Sequence, residues 1–144
     1  MVYAGDLVRA SDHVRVGEAT ATSTLTLTTA TTEQVVDTVV ASLVAVGEYE
    51  INYYGIFGSS VGDGTILVRL REDSLTGTQR VDNRVTVGVA NKHYACPLRA
   101  RYTAAATGLK TLVVTAVRES GTGNAARGAA ATSPSLLTVD QVHL

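Results

Sequence analysis

A single cysteine, Cys96, stands in a chain of 144 residues, which excludes an internal disulfide framework and any cysteine-based zinc cluster. Tryptophan is missing and phenylalanine occurs once, so an aromatic sugar-stacking surface is hard to assemble. Charge of one sign is missing as well: 12 Lys and Arg against 13 Asp and Glu leave a net charge of −1. Neutralising phosphates takes a basic excess, so nucleic acid is not an expected partner. No apolar run approaches the roughly 18 residues of a membrane span. The opening MVYAGDLVRASD, interrupted by Asp6 and Arg9, lacks the apolar centre of a signal peptide. These absences lead to the expectation of a non-secreted, soluble single domain made in the cytoplasm.

What is present points to strands. Val, Thr and Ala each supply roughly a seventh of the chain, well above their usual share. Val and Thr are β-branched, lose rotamer freedom in a helix and pack well on a pleated surface. Lysine is nearly absent, so the usual solvent-facing helix formers are few.

Along the chain, residues 1–18 form a unit of weak periodicity that reads as an N-terminal arm, and residues 19–144 as one β-sandwich domain. ATATSTLTL, from Ala19 to Leu27, alternates at period two and predicts a strand. In QVVDTVVASLVAV, from Gln34 to Val46, the spacing of Val35, Val36, Val39, Val40, Leu43 and Val44 fits a helix, yet the six valines oppose one. Two short strands with a bend near Ala41–Ser42 are the preferred reading. EYEINYYGIF sets Tyr49, Ile51 and Tyr53 on one face and Glu50, Asn52 and Tyr54 on the other. GSSVGDG is a hairpin signal, and TILVRLRED sends Ile66, Val68 and Leu70 inward with Arg69 and Arg71 outward. Further strands read as 80–90, 93–103, 109–119 and 135–142, with a short small-residue strand after SGTGN. Eight to ten strands without helical crossovers exclude a parallel sheet. They predict an all-β, antiparallel, jelly-roll-like sandwich.

The search for chemistry returns little. His13, His93 and His143 are far apart, and the His93/Cys96 pair lacks two further ligands for a metal. In Ser11-Asp12-His13 the residues are adjacent, which cannot place a base between nucleophile and orienter. Gly121-x-Gly123-x-x-Ala126 matches the dinucleotide fingerprint in letters, but no amphipathic helix follows, so a hairpin turn is expected. Arg69, Arg71, Arg99 and Arg101 alternate with apolar residues and are expected to be solvated or ion-paired, with Glu72, Asp73 and Asp82 near enough to balance them. No catalytic residue, metal or cofactor is assigned, and the chain is not expected to be an enzyme. Ala104–Ala106 and Ala129–Ala131 would offer small flat surfaces to a symmetry mate.

YAGDLVRASD resembles the N-terminal signature of minor tail and head-surface proteins of tailed bacteriophages, especially those of actinobacteria. The body, through TTEQVVDTVVASLVAVGEYEINYYG, ILVRLREDSLTGTQ and ATGLKTLVVTAVRESGTGNAARGAAATSPSLLTVDQV, is similar to β-sandwich modules of such virion proteins. The positions carrying the pattern are Arg118–Gly123, Pro134 and Leu137–Asp140. The resemblance implies a non-enzymatic virion component with a jelly-roll-like fold, often trimeric. The modest size then favours a capsid decoration or cementing protein. Such a protein would be a homotrimer on the outer head surface that stabilises the shell through the major capsid protein. Tyr3, Leu7 and Val8 of the arm are its candidate anchors. The alternative is a minor tail protein, a tail-tip or fibre module contacting host surface carbohydrate.

Overall fold

A computed structural model describes residues 14–27 and 31–143. It contains ten strands: β1 (Val14–Ala21), β2 (Leu25–Thr26), β3 (Gln34–Leu43), β4 (Glu48–Ser59), β5 (Gly64–Glu72), β6 (Gln79–Val87), β7 (His93–Thr103), β8 (Gly108–Ser120), β9 (Ala125–Gly128) and β10 (Ser135–His143). All pairings between them are antiparallel.

One sheet has four strands in the order β3-β8-β5-β6. The other runs β1-β10-β4, with β7 on the far edge of β4 and with β9 and β2 extending it. Sets 1-10-4-7 and 3-8-5-6 facing each other are the double Greek key of a jelly roll. The expected fold class is therefore the observed one. β4 is the spine of the larger sheet. Its whole length pairs with β7 on one edge, while the other edge is shared by β10, over 48–54, and β9, over 56–59.

Period-two alternation built this core. Tyr49, Ile51, Tyr53 and Phe57 of β4 are buried against Val39, Ala41 and Leu43 of β3, Ile66, Val68 and Leu70 of β5 and Leu112, Val114 and Ala116 of β8. Burying a side chain of this size contributes about 1.5–3 kcal/mol, enough in sum to hold a sandwich without disulfide or metal.

Two expectations need correction. Residues 34–43 form one strand rather than two, with no bend at Ala41–Ser42. Its irregularity lies at the other end, where the register shifts between Val35 and Asp37. That bulge puts Val36 inward out of turn and then restores the alternation of Val39, Ala41 and Leu43. Ala19–Leu27 is not one strand either: β1 pairs with β10 and β2 with β9. Arg69 and Arg71 lie on β5 of one sheet and Arg99 and Arg101 on β7 of the other.

Candidate functional site

Charged side chains in this sandwich are mostly spent on one another. Arg71 grips Glu33 through Nε to Oε1 at 2.9 Å and a second nitrogen to Oε2 at 3.2 Å, Arg69 adds a 2.8 Å contact, and the Thr115 hydroxyl donates at 2.5 Å. Burial, the largest influence on Glu33, pushes its carboxyl up, but the donors from Arg71, Thr115 and Arg69 together bring it below its ordinary value. Arg99 pairs with Glu50 at 2.5 Å and Arg84 with Glu119 at 2.8 Å. The buried Glu72 receives Lys110 at 2.7 Å and Arg80, and both cations lie over the Tyr102 ring. Arg69 and Arg71 are thus ion-paired with Glu33 and Arg99 with Glu50, rather than with Glu72, Asp73 or Asp82, while Arg101 is exposed on β7.

A second network lies between the sheets. Asp37 of β3 accepts from the Tyr53 hydroxyl at 2.8 Å and from Ser135 Oγ at 3.1 Å. Arg127 of β9 approaches the same oxygen at 3.3 Å, and the two side chains are only 9% and 6% exposed. The Nε of Arg127 makes no well-directed hydrogen bond, so that contact is one of charge with charge. Its other nitrogens donate to the carbonyls of Ser23, at 2.6 Å, and Val36, at 3.3 Å. Burial is the main influence on Asp37 and raises its carboxyl above the ordinary range despite these partners. The same network raises the Tyr53 hydroxyl, again chiefly by burial. This is a structural clamp, closed to a substrate.

Among the described residues no group of three or more His, Cys, Asp and Glu is placed to hold a metal. His93 lies on the exposed face of β7 whereas Cys96 is fully buried on the inner face. Strand residues three apart point to opposite faces, so they do not meet. Burial pushes the Cys96 thiol up to about 12, leaving it inert. The Gly121–Asn124 segment is a turn between β8 and β9, with Gly121 at φ 89° and Thr122 donating to Asp63. Tyr3, Leu7, Val8 and Ser11-Asp12-His13 lie outside the described residues.

Two surface features remain. The first is the end of the sandwich at which β1 begins. There the 44–47 turn joins β3 to β4, and the 104–107 loop joins β7 to β8. Val46 is 81% exposed and Leu109 79%, with Val44 and Val14 half exposed. Val46 sits at φ 57°, a conformation that strains a β-branched residue. It is held there by its amide bonding to the Ala104 carbonyl, by Tyr49 Oη accepting from the Val44 amide at 2.7 Å, and by Thr107 Oγ1 accepting from the Ala45 amide.

The second feature, at the opposite end, is a cleft of about 280 Å³ lined by Thr24, Thr26, Gly58, Ser59, Ser60, Asn91, His93, Asn124 and Ala126. Register explains its shape. Thr26, Ala126, Gly58 and His93 form one row across β2, β9, β4 and β7. Small residues at its centre make a trough between a threonine and a histidine wall. The imidazole leans over glycine backbone, since a Cβ on Gly128 would lie 2.6 Å from His93 Cδ2. Sequence reasoning missed this cleft because its residues come from four separate segments that only strand register brings together.

No protein-family model matches the sequence, and no curated protein matches it. Solved structures with a similar arrangement include the sugar-binding C-terminal domain of EclA, at 17% identity over 83% of this chain and 78% of that one, with a TM-score of 0.49. A family 6 carbohydrate-binding module from Clostridium cellulolyticum, in complex with xylose, is 18% identical over 87% and 88% of the two chains, with a TM-score of 0.44. The VP2 subviral particle of infectious bursal disease virus is 12% identical over 88% of this chain and 37% of its own, with a TM-score of 0.44. The neighbours thus include viral capsid proteins and sugar-binding domains. At these TM-scores the likenesses assign neither a ligand nor a partner to this chain.

Proposed function

We propose that this chain is a non-enzymatic structural protein of a tailed-bacteriophage virion, a decoration protein bound as a homotrimer to the outer surface of the head. The observation that carries the reading is the apolar end of the sandwich. Val14, Val44, Val46 and Leu109 are exposed at the same end at which the N-terminal arm joins β1. Exposed apolar clusters mark interaction surfaces, and here backbone strain at Val46 is tolerated to present one. Arm and apolar end together form a seat on the major capsid protein, with Tyr3, Leu7 and Val8 as anchors and the rest of the jelly roll projecting outward. Three arms on one trimer multiply weak contacts into firm attachment.

The test has two parts. Deleting residues 1–13, which leaves β1 intact, or introducing V46D with L109D, is expected to abolish binding to purified heads while the melting transition is retained. Undiminished binding by either variant overturns the seat. Imaging of intact particles locates the chain: a lattice of copies over the shell is expected, and absence from virions would sink the reading. The alternative, a minor tail protein contacting host carbohydrate, draws on the exposed Tyr54 of β4, 49% accessible on the outer face of the larger sheet. Copies confined to the tail would select it.

A further inference from the structure

The geometry points to the trough on the larger sheet as a binding site for a neutral, hydroxyl-rich ligand, a short oligosaccharide. The inference does not depend on whether the chain sits on head or tail.

The first ground is hydrogen-bonding capacity left unspent. Ser59, Ser60 and Thr24 are engaged: Ser59 Oγ accepts from the Val61 amide, Ser60 Oγ from the Asn124 amide, and the Thr24 hydroxyl meets the Ala129 backbone. The Thr26 hydroxyl, the Asn91 and Asn124 amides and the His93 imidazole line the same cleft, and among the described residues their side chains have no hydrogen-bond partner. Each amide offers two donors and an acceptor, and a hydroxyl offers one donor and two lone pairs. That mixed set matches sugar hydroxyls, which donate and accept from the same atom. The second ground is charge. No Asp, Glu, Lys or Arg lines the cleft, so nothing there compensates the desolvation of a phosphate or carboxylate.

The third ground is shape. Rows of the outer face continue from Gly58 and His93 through Ile56 and Ala95 to Tyr54 and Pro97. Four residue steps along β4 lead from Gly58 to Tyr54, about 13 Å at 3.3 Å per step. The strip is therefore long enough for an oligosaccharide rather than a monosaccharide. The exposed Tyr54 ring at its far end offers an apolar face for a pyranose to lie on. Ser60, Asn91 and Asn124 close the near end.

The test is a titration of the full chain with maltotetraose, cellotetraose, xylotetraose and chitotetraose, followed by amide NMR shifts, with inorganic phosphate as the charged comparator. Saturable shifts at Thr26, Asn91, His93, Asn124 and Tyr54 with at least one oligosaccharide, and none with phosphate, are expected. N124A and Y54A should each weaken that binding about fivefold or more, the effect of losing one hydrogen bond or a comparable apolar contact. N124A should leave the melting temperature unchanged, because its side chain is exposed, and Y54A, whose ring is half exposed on a paired strand, should lower it only slightly while the fold is retained. No saturable shift with any of the four sugars overturns the inference, as does saturation that maps elsewhere or survives both substitutions. Attachment of these variants to heads is expected to be unchanged, which keeps this result separate from the arm-end proposal.

Discussion

Removing the Arg127 side chain is the most informative perturbation of this fold. In R127M the Asp37 carboxylate stays buried and keeps the hydroxyls of Tyr53 and Ser135 but loses the one cation paired with it among the described residues, and the Ser23 and Val36 carbonyls lose donors. Breaking a buried pair from one side costs about 3–5 kcal/mol, because the remaining charge is uncompensated. A domain near this size loses about 2–4 °C of Tm per kcal/mol, so a drop of about 6–20 °C is expected by calorimetry. The double variant D37N/R127M, with no stranded charge, should recover about half of the loss or more, giving a large coupling in the mutant cycle. Acidity supplies an independent sign. An acid whose folded pKa lies above its unfolded one penalises folding while ionised, so its penalty is relieved as pH falls through the folded value toward the ordinary one. The R127M defect should therefore shrink on acidification, and that of D37N/R127M should not. A loss below about 1 kcal/mol in R127M, or a defect that grows on acidification, would refute the view of this network as a charge clamp between sheets.

Glu33 has the opposite sign. Its lowered pKa contributes stability above the ordinary carboxylate value that is lost as pH falls through the folded value, so E33Q should flatten the acid limb of a Tm-against-pH curve. V46N is expected to raise stability by about 1 kcal/mol, read from Tm, since asparagine tolerates the positive φ that strains valine. Gly121→Ala should cost at least about 2 kcal/mol in denaturant unfolding. It combines φ 89° with a Cβ 2.4 Å from the Asp63 carbonyl oxygen. Cys96 should resist thiol reagents in the native protein and react fully on unfolding, which a colorimetric thiol assay reads directly.

Much of the jelly roll was legible because alternation is local. β4 and β5 present the residues read as inward, Tyr49, Ile51 and Tyr53 and then Ile66, Val68 and Leu70, to the core. The failure at 34–46 has a definite cause. A bulge adds one residue to a period-two pattern, and the resulting spacing of Val35, Val36, Val39 and Val40 imitates a helix turn. Pairing partners far apart in sequence were beyond reach. Nothing local to Glu33, which precedes β3, signals two arginines on β5, and nothing near Arg127 signals Asp37. The trough was hidden for the same reason: Thr26, Gly58, His93 and Ala126 become neighbours only through strand register.

That register also orders events in time. β1 pairs with β10, β2 with β9, β3 with β8, and β4 with β7, β9 and β10. No strand of the first 59 residues has a ladder partner among the others, so a nascent chain carries β4, the spine of the larger sheet, bare on both edges until residue 93 is synthesised, with the second edge open until β9 and β10 follow from residue 125. Loop closure across such spans slows folding. The interval is when β4 is exposed to association with neighbouring chains, and the late arrival of the C-terminal strands ends it.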